Sequence, residues 1–517
     1  MSRKWWPLAV VCTATFMFLL DVTIVVVALP DIQRSLGAGF DQLQWVTDAY
    51  ALALASLLLT AGSIADRVGR RRVFALGLAL FTAASVLCGL AGDPGLLIAA
   101  RAVQGVGGAM LFATSLALLS VLYQGRDRGV AFGAWGAVTG VATALGPILG
   151  GVLTTGLSWR WIFLVNLPVG LLALWGTRVI AESRAEHPRR VDVPGVLTLT
   201  VGLLAVVFGF IETGSRSWGD PIVVGSFVIG AVLLLAFVAV ERTVREPMFD
   251  LSLLRTPTFV GGSLAAFAMN GSLFAMLLYV VLYLQDGLGY SSLEAGLRLV
   301  LISGATMVVA TLSGRLAHTL PVRWLVGPGL LLVGVGLALC AGLDGASSWT
   351  HLAVGFLVAG VGSGLVNPPL ASTAVGVVDH HRSGMASGVN NTCRQVGIAV
   401  GIAVYGSLFA ARVRSSLEAS LAGSPELRSR AAGLADAVHD GSIPRALGAL
   451  PGQQRALVGD AIRTAFADGM NTLFVVSAAV AVVGGVCALL LVRSRDFVAA
   501  QAPAAQLDSS GDRVETA

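Results

Sequence analysis

Asp21 is a carboxylic acid in the run FLLDVTIVVVALP, which is otherwise almost entirely apolar. It lies roughly thirteen positions into the apolar segment, which is about 20 Å along a helix and near the middle of a bilayer. A charge at that depth costs about 2.5 to 3.5 kcal/mol unless it faces a wet cavity, pairs with a cation or is protonated. Asp21 is therefore a candidate reversible proton site. The alternative is a structural carboxylate that hydrogen-bonds a neighbouring helix.

Arg101, in the segment RAVQGVGGAM, is a second ionisable residue inside an apolar stretch. A guanidinium stays charged in proteins, so it needs a partner even more than an aspartate does. Gly105 and Gly108 follow on the same helical face and leave room for a close helix or a cavity. We expect Arg101 to tune an acidic site or to relay its proton. The alternative is a static pairing residue.

Asp48, in WVTDAY, lies about one turn inside the end of the second apolar segment. There it is placed to meet a cationic substrate or a proton, although an acid near the membrane surface is sometimes simply hydrated. Three polar residues of later apolar segments, Asn270, Arg394 and Gln395, join Asp48 as candidate substrate-cavity residues.

The composition identifies an integral membrane protein. Of 517 residues, 56% are hydrophobic and 12% are charged, and the mean hydropathy is +0.81, whereas soluble domains contain about one quarter charged residues. Polar breaks divide the chain into apolar stretches long enough to cross the hydrocarbon. We predict fourteen transmembrane helices, at about 8–30, 45–65, 74–92, 96–120, 130–153, 161–180, 193–212, 222–241, 257–284, 296–318, 324–343, 351–373, 386–411 and 470–492.

The distribution of basic residues predicts the orientation. An even number of spans puts both termini on one side, and the loops of that side hold most of the arginines, whereas the opposite short loops hold Arg34, Arg160 and Arg216. Arginine and lysine accumulate in cytoplasmic loops, so both termini are predicted to be cytoplasmic. The net charge of +5 follows from this basic rim and does not indicate nucleic-acid binding.

Several other classes of function are disfavoured by the residue types. The single lysine, Lys4, cannot form the phosphate-binding loop of an ATP-driven pump. The five cysteines lie inside predicted spans without paired spacing, and the histidines do not cluster with metal-ligand spacing. We find no sequence signature of a zinc protease, a serine hydrolase or a dithiol redox enzyme, so the sequence favours neither an enzyme nor a bound metal or cofactor.

An internal repeat divides the chain. The segment GSIADRVGRRR has a fainter echo, GRLAHTLPVRW, 252 residues later, and this relates spans one to six to spans nine to fourteen. The fold class is therefore an all-α polytopic membrane protein with two six-helix halves and two inserted helices around a central cavity. The predicted domains are 1–192, the inserted pair 193–256, 257–495 with an outer loop at 412–469, and a disordered tail at 496–517.

Two glycine-containing segments are candidates for moving parts. In span five, GAWGAVTGVATALGPILGG combines closely spaced glycines with Pro147, which indicates a hinge or a seal, although helix packing alone also uses glycine. In DRVGRRR, Asp66 ends span two and Gly69 makes the turn, which suits a salt bridge that closes the inner side.

Taken together, these motifs resemble the major facilitator superfamily, and within it the fourteen-helix drug:proton antiporters, over approximately residues 5–495. The matching segments are LDVTIVVVALP, GSIADRVGRRR, LIAARAVQGVGGAM, GPILGG and NNTCRQVGIAVG. The resemblance implies proton-coupling roles for Asp21 and Arg101. Asp48, a further candidate for proton coupling, matches a position that is acidic in some members that handle cationic drugs. The resemblance also implies an inner gate at Gly62, Asp66, Arg67, Gly69, Arg70 and Arg71, and an antiport helix at Gly146, Pro147, Gly150 and Gly151.

Two departures from the family pattern narrow the expected range of substrates and alter the expected gate of the second half. Span ten contains no acidic residue, whereas some exporters of polyvalent cations have one there, and His318 occupies the place of Asp66 in the second-half echo. The expected function is proton-coupled export of amphiphilic drugs or antibiotics by a monomer in the bacterial cytoplasmic membrane. The alternatives are a dedicated exporter of one endogenous metabolite and, on the same fold, a sensor or a lipid-handling protein.

Overall fold

The computed structural model describes residues 3–497 apart from 124, 185–191, 214–215, 248, 317–319, 379–382 and most of 423–450. The described residues form helices and loops, without a β-strand. The helices are α1 Trp6–Leu36, α2 Phe40–Val68, α3 Arg70–Leu90, α4 Pro94–Leu122, α5 Gly125–Gly156, α6 Trp161–Val179, α7 Val193–Glu212, α8 Pro221–Thr243, α9 Pro257–Gly287, α10 Ser292–Leu316, α11 Arg323–Cys340, α12 Thr350–Gly376, α13 Ser383–Ser420 and α14 Gly452–Leu491.

The positions of the described helices agree with those of the fourteen predicted spans. Thirteen of them are long and apolar enough to cross a membrane. The predicted fifth span lies on α5, a helix of 32 residues that contains the apolar segment Leu145–Gly156. His318 lies outside the described residues. We call the side of the bundle where α1 begins the N-terminal face, and the other side the opposite face.

Helix starts and ends follow from local side chains. Asp93, Asp192 and Asp220 each precede a helix, and their carboxylates accept a hydrogen bond from a backbone N–H of the first turn. A proline at one of the first two positions of each helix removes a donor that has no intrahelical acceptor. Gly37 ends α1 in the left-handed conformation, with φ of 63°.

The inserted pair, α7 and α8, packs beside the contact between the two halves. Leu203 and Val207 of α7 belong to one buried cluster with Ala51 of α2 and Ala399 of α13. Helix α7 thus contacts one helix of each half and packs beside the contact between α2 and α13.

The outer loop is shorter than the predicted 412–469. Helix α13 continues to Ser420 and α14 already begins at Gly452. The hydropathy pattern ends a span where charged residues appear, but Leu417 and Val458 remain buried in a shared cluster beyond that point. Ser416 also donates a hydrogen bond to Asp468 at 2.7 Å. The predicted tail lies outside the described residues from 498 onward.

Candidate functional site: a buried ion pair beside a central cavity

Asp21 of α1 and Arg101 of α4 form a buried salt bridge. The Arg101 Nη1 atom donates to Asp21 Oδ2 at 2.6 Å. The Arg101 side chain is 2% exposed, and the Asp21 side chain is 0% exposed. The structure therefore joins two residues that the sequence identified separately. Each supplies the counter-charge that the other requires in a low-dielectric interior.

Two amide side chains hold the other oxygen of the Asp21 carboxylate. Gln104 Nε2 and Asn166 Nδ2 donate to Asp21 Oδ1 at 2.9 and 3.1 Å. The same two nitrogens also reach Ser85 Oγ, at 2.8 and 3.2 Å. Sequence reasoning missed these residues. Gln104 was detectable, because it lies three positions after Arg101 on the same helical face.

Arg101 links three helices. Its Nη1 also donates to Gln104 Oε1 at 2.7 Å, and its Nε donates to the Val46 carbonyl oxygen of α2 at 3.2 Å. The centre of its guanidinium lies 4.1 Å from the centroid of the Tyr50 ring, a cation–π contact. A change in the charge of Asp21 therefore acts directly on the contacts that Arg101 makes with α1, α2 and α4.

A cavity lies between the two halves, next to this ion pair, with about 1070 Å³ of space not filled by atoms, part of it open to solvent. Most of its lining is aliphatic. Arg101 and Tyr50 border it from the N-terminal half, and Ser303, Ser363 and Gln395 border it from the C-terminal half. A large apolar pocket with a few polar groups is the usual form of a site for an amphiphilic small molecule.

Asp48 of α2 is fully buried, and its carboxylate oxygens lack a hydrogen-bond partner among the described residues. One turn earlier, Gln44 Nε2 donates to the Tyr279 hydroxyl and to the Ile402 carbonyl oxygen, each at 3.0 Å. Asp48 does not border the cavity. This differs from the expected hydrated or substrate-facing acid, because docking of the second half covers this part of α2.

The remaining candidate cavity residues separate. Gln395 borders the cavity, whereas Asn270 and Arg394 lie outside its lining. Asn270 begins a π-helical turn within α9, and its Nδ2 donates to the Ala266 carbonyl oxygen at 2.9 Å. Arg394 is half-buried one residue before Gln395 and contacts Asn367 of α12.

The expected gate motif forms a turn at the N-terminal face. Asp66 and Arg70 form a salt bridge with an N–O distance of 2.9 Å. Gly69 has φ of 128°, and the backbone N–H of Arg71 donates to Glu182 at 3.1 Å. The motif thus contacts the segment after α6, within the same half. Arg67 is exposed and Gly62 is half-buried.

The expected antiport helix, α5, fits closely against both halves. A Cβ at Gly146 would overlap Thr23 of α1, and one at Gly150 would lie 2.8 Å from the Ile24 carbonyl oxygen. On its other side, a Cβ at Gly151 would lie 2.6 Å from Leu293 Cα of α10.

The contact between α5 and α10 also includes Pro147, whose carbonyl oxygen leaves no room for a Cβ at Gly296. Nearby, Gln285 donates to the Val27 carbonyl oxygen at 2.7 Å, and the Ser292 hydroxyl donates to Asp31. These contacts join the two halves at the opposite face.

Comparison with known proteins identifies the family. The profile of the Major Facilitator Superfamily matches residues 11–402. The chain belongs to the major facilitator superfamily. It is 40% identical over 416 residues to the puromycin resistance protein pur8 of Streptomyces alboniger, covering 78% of this chain and 82% of that protein. It is 34% identical over 497 residues to the tetracenomycin C resistance and export protein of Streptomyces glaucescens, covering 94% and 91%.

Solved structures agree with this assignment at the level of the fold. A bacterial homolog of the human lysosomal transporter Spinster, in an inward-facing and occupied conformation, aligns with a TM-score of 0.65 and 16% identity, covering 97% of this chain and 99% of that one. The family, the relatives and the candidate spans of the described residues together indicate a multi-pass membrane transporter.

Proposed function

We propose that the protein is a proton-coupled antiporter that exports amphiphilic drugs or antibiotics from the cytoplasm by alternating access. The observation that carries the proposal is the buried Asp21–Arg101 pair at the edge of the central cavity. A carboxyl group that holds a guanidinium inside the membrane is suited to bind and release a proton, because protonation removes the attraction between them.

The coupling step follows from the contacts of Asp21. When Asp21 is ionised, Arg101, Gln104 and Asn166 all donate to it and hold α1 against α4 and α6. A proton on the carboxyl group cancels its charge and leaves Arg101 without a counter-ion. Arg101 then takes up other acceptors, and the contacts between helices that favour one orientation of the halves weaken.

The direction of transport is inferred from the distribution of arginine between the two faces and from the face at which the halves are in contact. The N-terminal face has the excess of arginine that is typical of cytoplasmic loops. The halves meet at the opposite face, through the seam between α5 and α10. An open N-terminal face would admit substrate from the cytoplasm of a bacterial cell, and reversal of the closure would release it outside.

A dedicated exporter of one endogenous metabolite is the second candidate. It is favoured by the likeness to the tetracenomycin C resistance and export protein, whose name combines resistance with export of one compound. The breadth of the substrate panel that is transported distinguishes it from a multidrug exporter.

The proposal is tested with purified protein reconstituted in liposomes. An imposed pH gradient is expected to drive uphill flux of a member of an antibiotic panel that includes anionic, neutral and cationic compounds, and addition of that substrate is expected to move protons. Asp21→Asn is expected to abolish both effects and to retain substrate binding. Asp460→Asn is the matched control, because Asp460 is a surface residue paired with Arg463. Gradient-independent flux, or coupled flux in Asp21→Asn, would refute the proposal.

A further inference from the structure

Among the described residues that line the cavity, the one charged side chain is a cation. The lining contains Arg101, several hydroxyl groups and the Gln395 amide, but no carboxylate among the described lining residues. Asp21 is covered by Arg101 and its amide neighbours, and Asp48 is fully buried one turn after Gln44, which donates to Ile402 of α13. A substrate in this cavity therefore meets hydrogen-bonding groups and one cationic side chain, Arg101, and no carboxylate of the described lining.

A polar cluster lies behind the cavity wall that the C-terminal half forms. Arg394 donates from Nη1 to Asn367 Oδ1 at 3.3 Å and from Nε to Asn390 Oδ1 at 3.4 Å. Asn367 Nδ2 in turn donates to Ser363 Oγ at 3.1 Å, and Ser363 borders the cavity together with Gln395. The guanidinium is thus connected to the cavity wall through one amide side chain.

Arg101 and Arg394 differ in how their charge is balanced. Arg101 has a carboxylate at 2.6 Å, whereas Arg394 has two neutral amide oxygens at long distances among the described residues. Charge-assisted hydrogen bonds are usually 2.7 to 2.9 Å long, and a guanidinium has five N–H donors. Arg394 therefore retains both a net charge and donors that these neighbours do not use.

We infer that Arg394 and its amide neighbours bind an anionic group, such as a carboxylate or phenolate, of an amphiphilic substrate whose apolar body lies in the aliphatic cavity. The inference rests on the proposed export function and names its substrate class: organic anions in preference to organic cations. The proton site, Asp21, then lies in one half and the substrate anchor in the other. Proton and substrate are coupled through movement of the halves and do not compete for one carboxylate.

The test uses two ions of the same shape and opposite charge, tetraphenylborate and tetraphenylphosphonium, titrated into the purified full chain without a gradient. The quantity compared between variants is the ratio of the two dissociation constants, because partition of each ion into detergent cancels. Arg394→Gln is expected to weaken tetraphenylborate binding about tenfold or more and to leave tetraphenylphosphonium unchanged or tighter. Arg298→Gln is the matched control, since Arg298 stacks on Tyr290 and Trp349 outside the cavity lining.

A second variant keeps the arginine in place. Asn367→Asp puts a carboxylate against Arg394 and is expected to lower the preference for the anion in the same way, whereas Arg394→Lys is expected to retain it. An unchanged ratio in both Arg394→Gln and Asn367→Asp, or equal loss of both ions, overturns the inference. Missing proton-driven flux with the ratio changed as expected refutes the proposed coupling alone.

Discussion

Arg101 and Asp21 lie with Nη1 and Oδ2 2.6 Å apart, on α4 and α1, and both side chains are almost completely buried. Removing one member of a buried ion pair usually destabilises a protein more than removing both, because the remaining charge loses its partner. The pair therefore behaves as one unit, in which the charge of Asp21 determines which contacts Arg101 makes.

Single and double neutralisation of this pair should affect stability differently. Asp21→Asn and Arg101→Gln are each expected to reduce the free energy of unfolding by about 3–5 kcal/mol, because each leaves one buried charge. The double variant is expected to recover part of that loss. Thermal unfolding of the detergent-purified variants measures the three effects as a double-mutant cycle. Loss in the double variant equal to the sum of the single losses would contradict the description of the pair as one unit.

Neutralising Asp48 should have the opposite effect on unfolding stability from neutralising Asp21. Its carboxylate oxygens lack hydrogen-bond partners among the described residues, so Asp48→Asn removes an acidic group that is expensive to bury without breaking a visible contact. We expect unfolding stability to stay equal or to rise by about 1–3 kcal/mol. The comparison is the melting temperature of Asp48→Asn against that of Asp21→Asn. A drop as large as that of Asp21→Asn would mean that Asp48 has an essential partner.

The sequence indicated both members of the ion pair but neither their contact nor the residues that surround it. Asp21 and Arg101 were visible because each breaks an apolar segment at membrane depth. Asn166, which completes the network, is an amide near a predicted helix start and 145 residues away from Asp21. Burying an amide in a membrane costs much less free energy than burying a charge, so an amide in an apolar segment does not by itself indicate a site. The contact also depends on how α1 and α6 pack.

Asp48 shows a second limit. Its depth along α2 was predictable from the periodicity of one helix, but its burial depends on the docking of α13 against α2. Contacts between halves of a transporter change between conformations, so a single helix pattern does not contain them. The extension of α13 and α14 beyond the hydrocarbon was missed for a related reason, because hydropathy reports the membrane boundary and not the end of the helix.

The seam between α5 and α10 should be sensitive to added side chains. Gly151→Val and Gly296→Val would each push a side chain into the backbone of the facing helix, at Leu293 and Pro147. Overpacking costs about 1–3 kcal/mol, and that cost falls on the conformation in which the opposite face is closed. We expect the closed population to fall roughly tenfold.

The measurement is the distribution of distances between spin labels placed at the opposite-face ends of α5 and α10. Gly136→Val on the same helix is the control, because a Cβ at Gly136 meets no atom within 4 Å in the described part of the chain. Equal distance distributions for Gly151→Val and Gly136→Val would show that the seam does not hold the opposite face closed.

The turn at Gly69 should be the most sensitive point of the gate motif. Gly69 has φ of 128°, which other residues rarely adopt, and an added Cβ would lie 2.7 Å from the Glu182 carboxylate. Gly69→Ala is expected to cost about 1–3 kcal/mol through strain and displacement of Glu182. Glu182→Gln, which keeps an acceptor for the Arg71 N–H, is expected to cost less than about 1 kcal/mol. Thermal unfolding compares both with Gly92→Ala, since a Cβ at Gly92 meets no described atom within 4 Å. If Gly69→Ala unfolded at the temperature of Gly92→Ala, backbone conformation would not be the reason for glycine in this motif.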